Sequence, residues 1–132
     1  MLSTSQIKTF NKNGYLVLED FMSLNQRNLL MNRAEELIEN FQPPSSHSVF
    51  TTDEQERTSD EYFLGSGDQI RFFFEEKAID KNGNFTVPKQ KSINKIGHAQ
   101  HELDPIYKQV IDEMNLPEIG KQLGINRPKK LQ

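Results

Sequence analysis

Three histidines, His47, His98 and His101, are the only imidazoles in the chain, and there is no cysteine, so any soft metal site has to be built from them. The usual opening pair of a two-histidine, one-carboxylate iron site is His-x-Asp or His-x-Glu. Reading forward gives His47-Ser-Val, His98-Ala-Gln and His101-Glu-Leu, and none fits. If residues 98–104 were helical, His98 and Asp104 would stand about 9 Å apart along the axis. Ligand atoms have to sit roughly 2 Å from one metal, so that span is too wide. His98 with His101 or Glu102 is at most a partial site. The plainer expectation is one imidazole packed beneath a sheet and the other facing water. No metal ligand and no catalytic residue is therefore assigned from spacing.

Two cations stand in apolar surroundings. Arg71 precedes Phe72-Phe73-Phe74 and points away from Phe72 in a strand; it could bind an anion, but pairing with Asp68 or Glu75 is the simpler expectation. Lys95 interrupts Ile93-Asn-Lys-Ile-Gly97 and could meet a carboxylate, although a solvent-facing lysine is the plainer reading. The three phenylalanines fit a core better than a ligand cage. Spacing suggests no Ser-His-Asp arrangement, and Gly65 and Gly67 do not open a helix as a phosphate loop would.

The elements that would carry these residues follow from pattern. Ser3 with Gln6, and Ser23 with Gln26, have capping-box spacing. They predict a helix over about residues 4–12 closed at Gly14, and a long amphipathic one ending before Pro43-Pro44. Tyr15 to Leu18 reads as a strand buried on both faces, and residues 42–60 as a loop. Tyr62 to Leu64 and Ile70 to Phe74 read as strands joined by a turn, and Asn82-Gly83 as a two-residue hairpin turn between Ala78-Ile79 and Phe85 to Val87. A further strand runs from Ile93 to Gly97. Asp104-Pro105 opens a helix, and Asn115-Leu116-Pro117 opens a last one ending near Gly124. The fold class is α+β, in one region spanning 1–132.

Composition narrows the function. At 132 residues there is room for one ordinary domain. A net charge of -3, with no long basic block, disfavours nucleic acid as a partner. Without cysteine there is no disulfide framework, zinc finger or thiol nucleophile. The N-terminal stretch lacks the pattern of a signal peptide, no run approaches the roughly 20 apolar residues of a membrane span, and no peroxisomal address closes the chain. The expected setting is cytoplasmic, with no membrane partner.

Three blocks then carry a resemblance: Phe10-Asn-Lys-Asn-Gly-Tyr-Leu-Val-Leu-Glu-Asp-Phe21, Asp60-Glu-Tyr-Phe-Leu-Gly-Ser-Gly-Asp-Gln-Ile-Arg-Phe-Phe-Phe-Glu75, and Lys91-Ser-Ile-Asn-Lys-Ile-Gly-His-Ala-Gln-His101. In this order and at this separation they resemble the phytanoyl-CoA dioxygenase family, from about Ser5 to Pro128. The resemblance implies a double-stranded β-helix, or jelly roll, that holds Fe(II) and 2-oxoglutarate and hydroxylates a small-molecule substrate with O2. It also implies that Lys95 matches a cosubstrate contact, and that His98 and His101 are not iron ligands. The family's His-x-Asp pair would lie beyond Gln132. The expectation is thus the N-terminal helices and short antiparallel strands of an incomplete barrel, inactive by itself and holding no cofactor tightly. The alternative is a non-catalytic interaction module that associates with a full-length enzyme.

Overall fold

Ser3 and Ser23 each start a helix by the same device. Their hydroxyls accept from the backbone N–H of Gln6 and Gln26, and each glutamine side chain accepts in return from the serine backbone N–H. Such a cap contributes about 1 kcal/mol. The structure is a computed structural model, and it describes residues 1–43, 48–49 and 60–130. The first helix, α1 (Thr4–Asn13), stops at Gly14, whose φ of 80° is the left-handed conformation that glycine adopts without steric penalty. The second, α2 (Leu24–Asn40), ends at Phe41 ahead of Pro43, and Lys89 Nζ donates to the carbonyls of Glu39, at 2.8 Å, and Phe41.

Four shorter helices follow: α3 (Glu61–Leu64), α4 (Gln100–Leu103), α5 (Pro105–Glu113) and α6 (Leu116–Gln122). Between α3 and α4 lie β1 (Arg71–Phe74) and β2 (Ile93–Gly97), paired antiparallel with a register irregularity between Phe73 and Phe74. A short 3-10 turn, Lys89–Lys91, leads into β2. The sheet among the described residues is this open pair, order β1-β2. The α+β class holds.

The sheet has two distinct faces. Arg71 pairs with Gly97 and Phe73 with Lys95, so these four side-chain positions share a face; Phe72 pairs with Ile96 on the other. The first face is covered by α3, whose Tyr62 and Phe63 meet Phe73 edge-on at 5.5 and 5.6 Å. On the second, Phe41 stacks on Phe72 at 4.1 Å, and Phe85 packs on Phe74 at 5.6 Å. Each well-placed aromatic pair adds about 0.5–1.5 kcal/mol beyond its buried area. Phe72, Phe73 and Phe74 are therefore core, together with Ala78 and Val110.

Several expectations need correction. Residues 15–18 belong to no strand: Tyr15 is 65% and Val17 70% exposed, and Leu16 and Leu18 are partly buried. No neighbouring strand offers that segment a ladder among the described residues. Tyr62 to Leu64 is helical, because the Asp60 carboxylate accepts from the N–H groups of Tyr62 and Phe63 at 2.9 and 3.2 Å and caps the turn. This local bond overrides the strand preference of the aromatic residues. β1 consequently pairs with β2 and not with residues 62–64.

The turn at Asn82-Gly83 is wider than two residues. Asp80 Oδ1 accepts from the N–H of both Asn82 and Asn84 at 2.8 Å, which draws residues 80–84 into one loop closed by a single bridge, Ile79 to Phe85. Helix α4 was not foreseen. Most of residues 42–60, with His47, lies outside the described residues.

Candidate functional site

β2 brings Lys95 and His98 together at its C-terminal end. Lys95 and Gly97 project from one face, and a Cβ built on Gly97 would lie 3.0 Å from Lys95 Cε. Glycine there clears the path by which the lysine stem runs along the strand. Ala99, with φ of 52°, then turns the chain sharply into α4. The left-handed conformation at alanine is unfavourable by roughly 1 kcal/mol, and surrounding packing has to hold it. The result is that Lys95 Nζ lies 3.0 Å from His98 Nε2 and 5.8 Å from the centre of the Phe63 ring.

Behind the imidazole stands Ser66, fully buried, with Oγ 2.8 Å from His98 Nδ1 and 2.5 Å from the Phe63 carbonyl oxygen. The His98 N–H donates to Gln69 O at 2.7 Å, which continues the β1–β2 ladder one step and fixes the backbone. Phe63 and Phe73 meet the imidazole edge-on. His98 is 7% exposed, and burial holds it below the ordinary imidazole pKa; the positive charge of Lys95 acts in the same direction, opposed by a hydrogen bond with the Ser66 backbone. A neutral imidazole is thus in contact with a half-buried ammonium. Such an ammonium suits a carboxylate or phosphate.

The other sequence candidates lie apart from this cluster. Arg71 sits over the Tyr62 ring at 4.7 Å and donates to the Tyr62 carbonyl and to Gln69 Oε1 at 3.1 and 3.3 Å. The expected Asp68 or Glu75 partner is replaced by neutral oxygens, because α3 places a carbonyl and a ring where the guanidinium can reach. His101, on α4, is 8% exposed, so neither described imidazole faces water as one was expected to. Its Nδ1 has no hydrogen-bond partner among the described residues. It lines an open cavity of about 280 Å³ with Ile111, Leu116, Ile125 and Pro128, walled by α5, α6 and the tail. Lys95 is half-buried instead of fully solvent-facing. Ser66 was missed: it is 32 residues from His98, and nothing in Gly65-Ser-Gly67 marks it out.

No group of three His, Asp or Glu side chains among the described residues could hold a metal ion. His98 is also ill suited as a ligand here, since both of its ring nitrogens already face hydrogen-bond partners. The described residues do not fit an iron centre. No helix among them is long and apolar enough to cross a membrane.

Fold and site together define an α+β module with a two-stranded antiparallel sheet, one edge of which carries an ammonium suited to an anion. The chain belongs to the phytanoyl-CoA dioxygenase family: residues 10–129 match the family described as Phytanoyl-CoA dioxygenase (PhyH). It is 43% identical over 136 residues to "Phytanoyl-CoA dioxygenase domain-containing protein 1" of Bos taurus, covering 99% of this chain and 47% of that protein. It is 43% identical over 131 residues to "Phytanoyl-CoA dioxygenase" of Arabidopsis thaliana, covering 99% and 46%. A Dictyostelium discoideum homolog of domain-containing protein 1 is 38% identical over 94% of this chain and 44% of its own length. The chain thus spans about half the length of the curated relatives it matches.

Proposed function

We propose that residues 1–132 supply the cosubstrate-binding edge of an Fe(II)- and 2-oxoglutarate-dependent oxygenase, with Lys95 as the contact for a 2-oxoglutarate carboxylate, and do not hydroxylate substrate by themselves. The observation that carries the reading is the half-buried Lys95 ammonium, held by His98 in a chain that belongs to a dioxygenase family. When bound, iron would supply oxygen activation, but its ligands are not among the described residues. What this chain contributes is a cation on a hydrogen-bonded strand, placed to bind and orient an anionic group.

The test is conversion of 2-oxoglutarate to succinate by the purified chain with Fe(II), ascorbate and O2. No turnover above the metal blank is expected. Turnover is expected once the second half of the Bos taurus relative is fused after residue 132. Succinate production by the 132-residue chain alone would overturn the reading.

A second reading is favoured by the apolar side chains left on the surface, among them Tyr15, Val17, Leu24, Met31 and Leu103. In it the chain is an interaction module that associates with a full-length relative. Co-elution with that relative on size exclusion would support it, and separate elution at micromolar concentrations would end it.

A further inference from the structure

If Lys95 meets an anion, something has to aim it. The Ser66 hydroxyl has one proton, and it donates that proton to the Phe63 carbonyl at 2.5 Å. Towards His98 Nδ1, 2.8 Å away, Ser66 Oγ can then only accept. The imidazole proton therefore sits on Nδ1. In the neutral ring the lone pair is left on Nε2, and Nε2 faces Lys95 Nζ at 3.0 Å. An ammonium offers donors and no acceptor, so the chain from Lys95 through His98 and Ser66 to Phe63 O is satisfied at every link. The opposite tautomer would set N–H against N–H at Lys95 and a lone pair against an oxygen whose proton is already used.

We propose that His98 is the positioning residue for Lys95: its Nε2 fixes where the ammonium stands, and Ser66 locks the tautomer that makes Nε2 an acceptor. This rests on the reading of Lys95 as a 2-oxoglutarate contact. His98 does not touch the anion; it acts through Lys95. Gly97 is the third part of the device, because any side chain there would push against the lysine stem.

The experiment is 15N NMR on the isotopically labelled 132-residue chain, titrated with 2-oxoglutarate. Wild type is expected to show the His98 ring proton on Nδ1, and a Lys95 ammonium resonance that moves on titration. His98→Phe keeps an aromatic ring but removes the acceptor, and should weaken the Lys95 response about tenfold, the effect of losing one charge-assisted hydrogen bond. His98→Gln, whose Oε1 accepts, should recover most of it. Ser66→Ala should mix the tautomers and give a smaller loss, and it decides the matter if His98→Phe does not fold by circular dichroism. A proton on Nε2 in wild type, or a titration unchanged in H98F and S66A, overturns the positioning role and leaves Lys95 as the contact. A wild-type Lys95 resonance indifferent to 2-oxoglutarate, with the His98 tautomer as described, overturns the contact itself and the proposal built on it.

Discussion

Arg33 Nε, on α2, lies 2.7 Å from Asp104 Oδ2, while Oδ1 of the same carboxylate accepts from the N–H groups of Ile106 and Tyr107 at 3.0 and 3.1 Å and caps α5. Asp104 is 2% exposed, so one buried side chain both starts a helix and ties it to a second. Asp104→Ala is expected to lose about 2–4 kcal/mol, the sum of a cap and a hydrogen bond to a charged group. Asp104→Asn keeps the cap acceptor and should lose only about half as much. Urea unfolding of the two variants measures the split: equal losses would show that the cap contributes nothing, and an asparagine variant as stable as wild type would show that the tie to α2 contributes nothing.

His98 makes stability depend on pH in a definite direction. Its pKa is lowered in the folded chain, so on acidification the unfolded chain binds the proton first. This contribution is intact above the ordinary histidine value of about 6.5 and is progressively lost as pH falls through that range towards the lowered folded value. The carboxyls of Asp80, Asp112 and Glu113, also lowered by hydrogen bonds, act on the more acidic side of about pH 4. Urea midpoints between about pH 7 and 5 should fall in wild type and fall less steeply in H98F. Parallel slopes would contradict the assignment.

Phe73 is wholly buried and touches Tyr62, Phe63 and His98, so it joins the core to the site. Phe73→Ala is expected to lose about 3–5 kcal/mol, with Phe73→Leu losing far less. Thermal unfolding read by circular dichroism checks the order of the two. A small loss in the alanine variant would mean that the sheet does not depend on this ring.

Gly120 lets the tail close over α6: a Cβ there would lie 3.0 Å from Pro128 Cβ. Gly120→Ala should gain close to 1 kcal/mol of helix propensity while forcing residues 125–130 away. Global stability should therefore change little. Exchange of the Ile125 amide, which donates to Gly120 O at 2.9 Å, should accelerate on the order of tenfold. Unchanged exchange would show that the tail yields without detaching.

What the sequence determined by itself was local. The capping boxes at Ser3 and Ser23, the left-handed stop at Gly14, the Asp104-Pro105 start and the Phe72 to Phe74 core are all written in short spacings, because each depends on bonds within one turn or one strand. Family membership was legible for a related reason, since ordered blocks of residues survive without knowledge of their contacts. The same local logic misread Tyr62 to Leu64, where a cap from Asp60 outweighed strand preference, and Tyr15 to Leu18, whose apolar run has no ladder to join among the described residues. Tertiary structure alone decided the site. Only the pairing of β1 with β2 and the return of the α3 turn bring Ser66 behind His98, and a tautomer depends on which donor and acceptor meet in space. Hydrogen bonds across 32 residues leave no periodicity in a sequence, whereas those across three or four do.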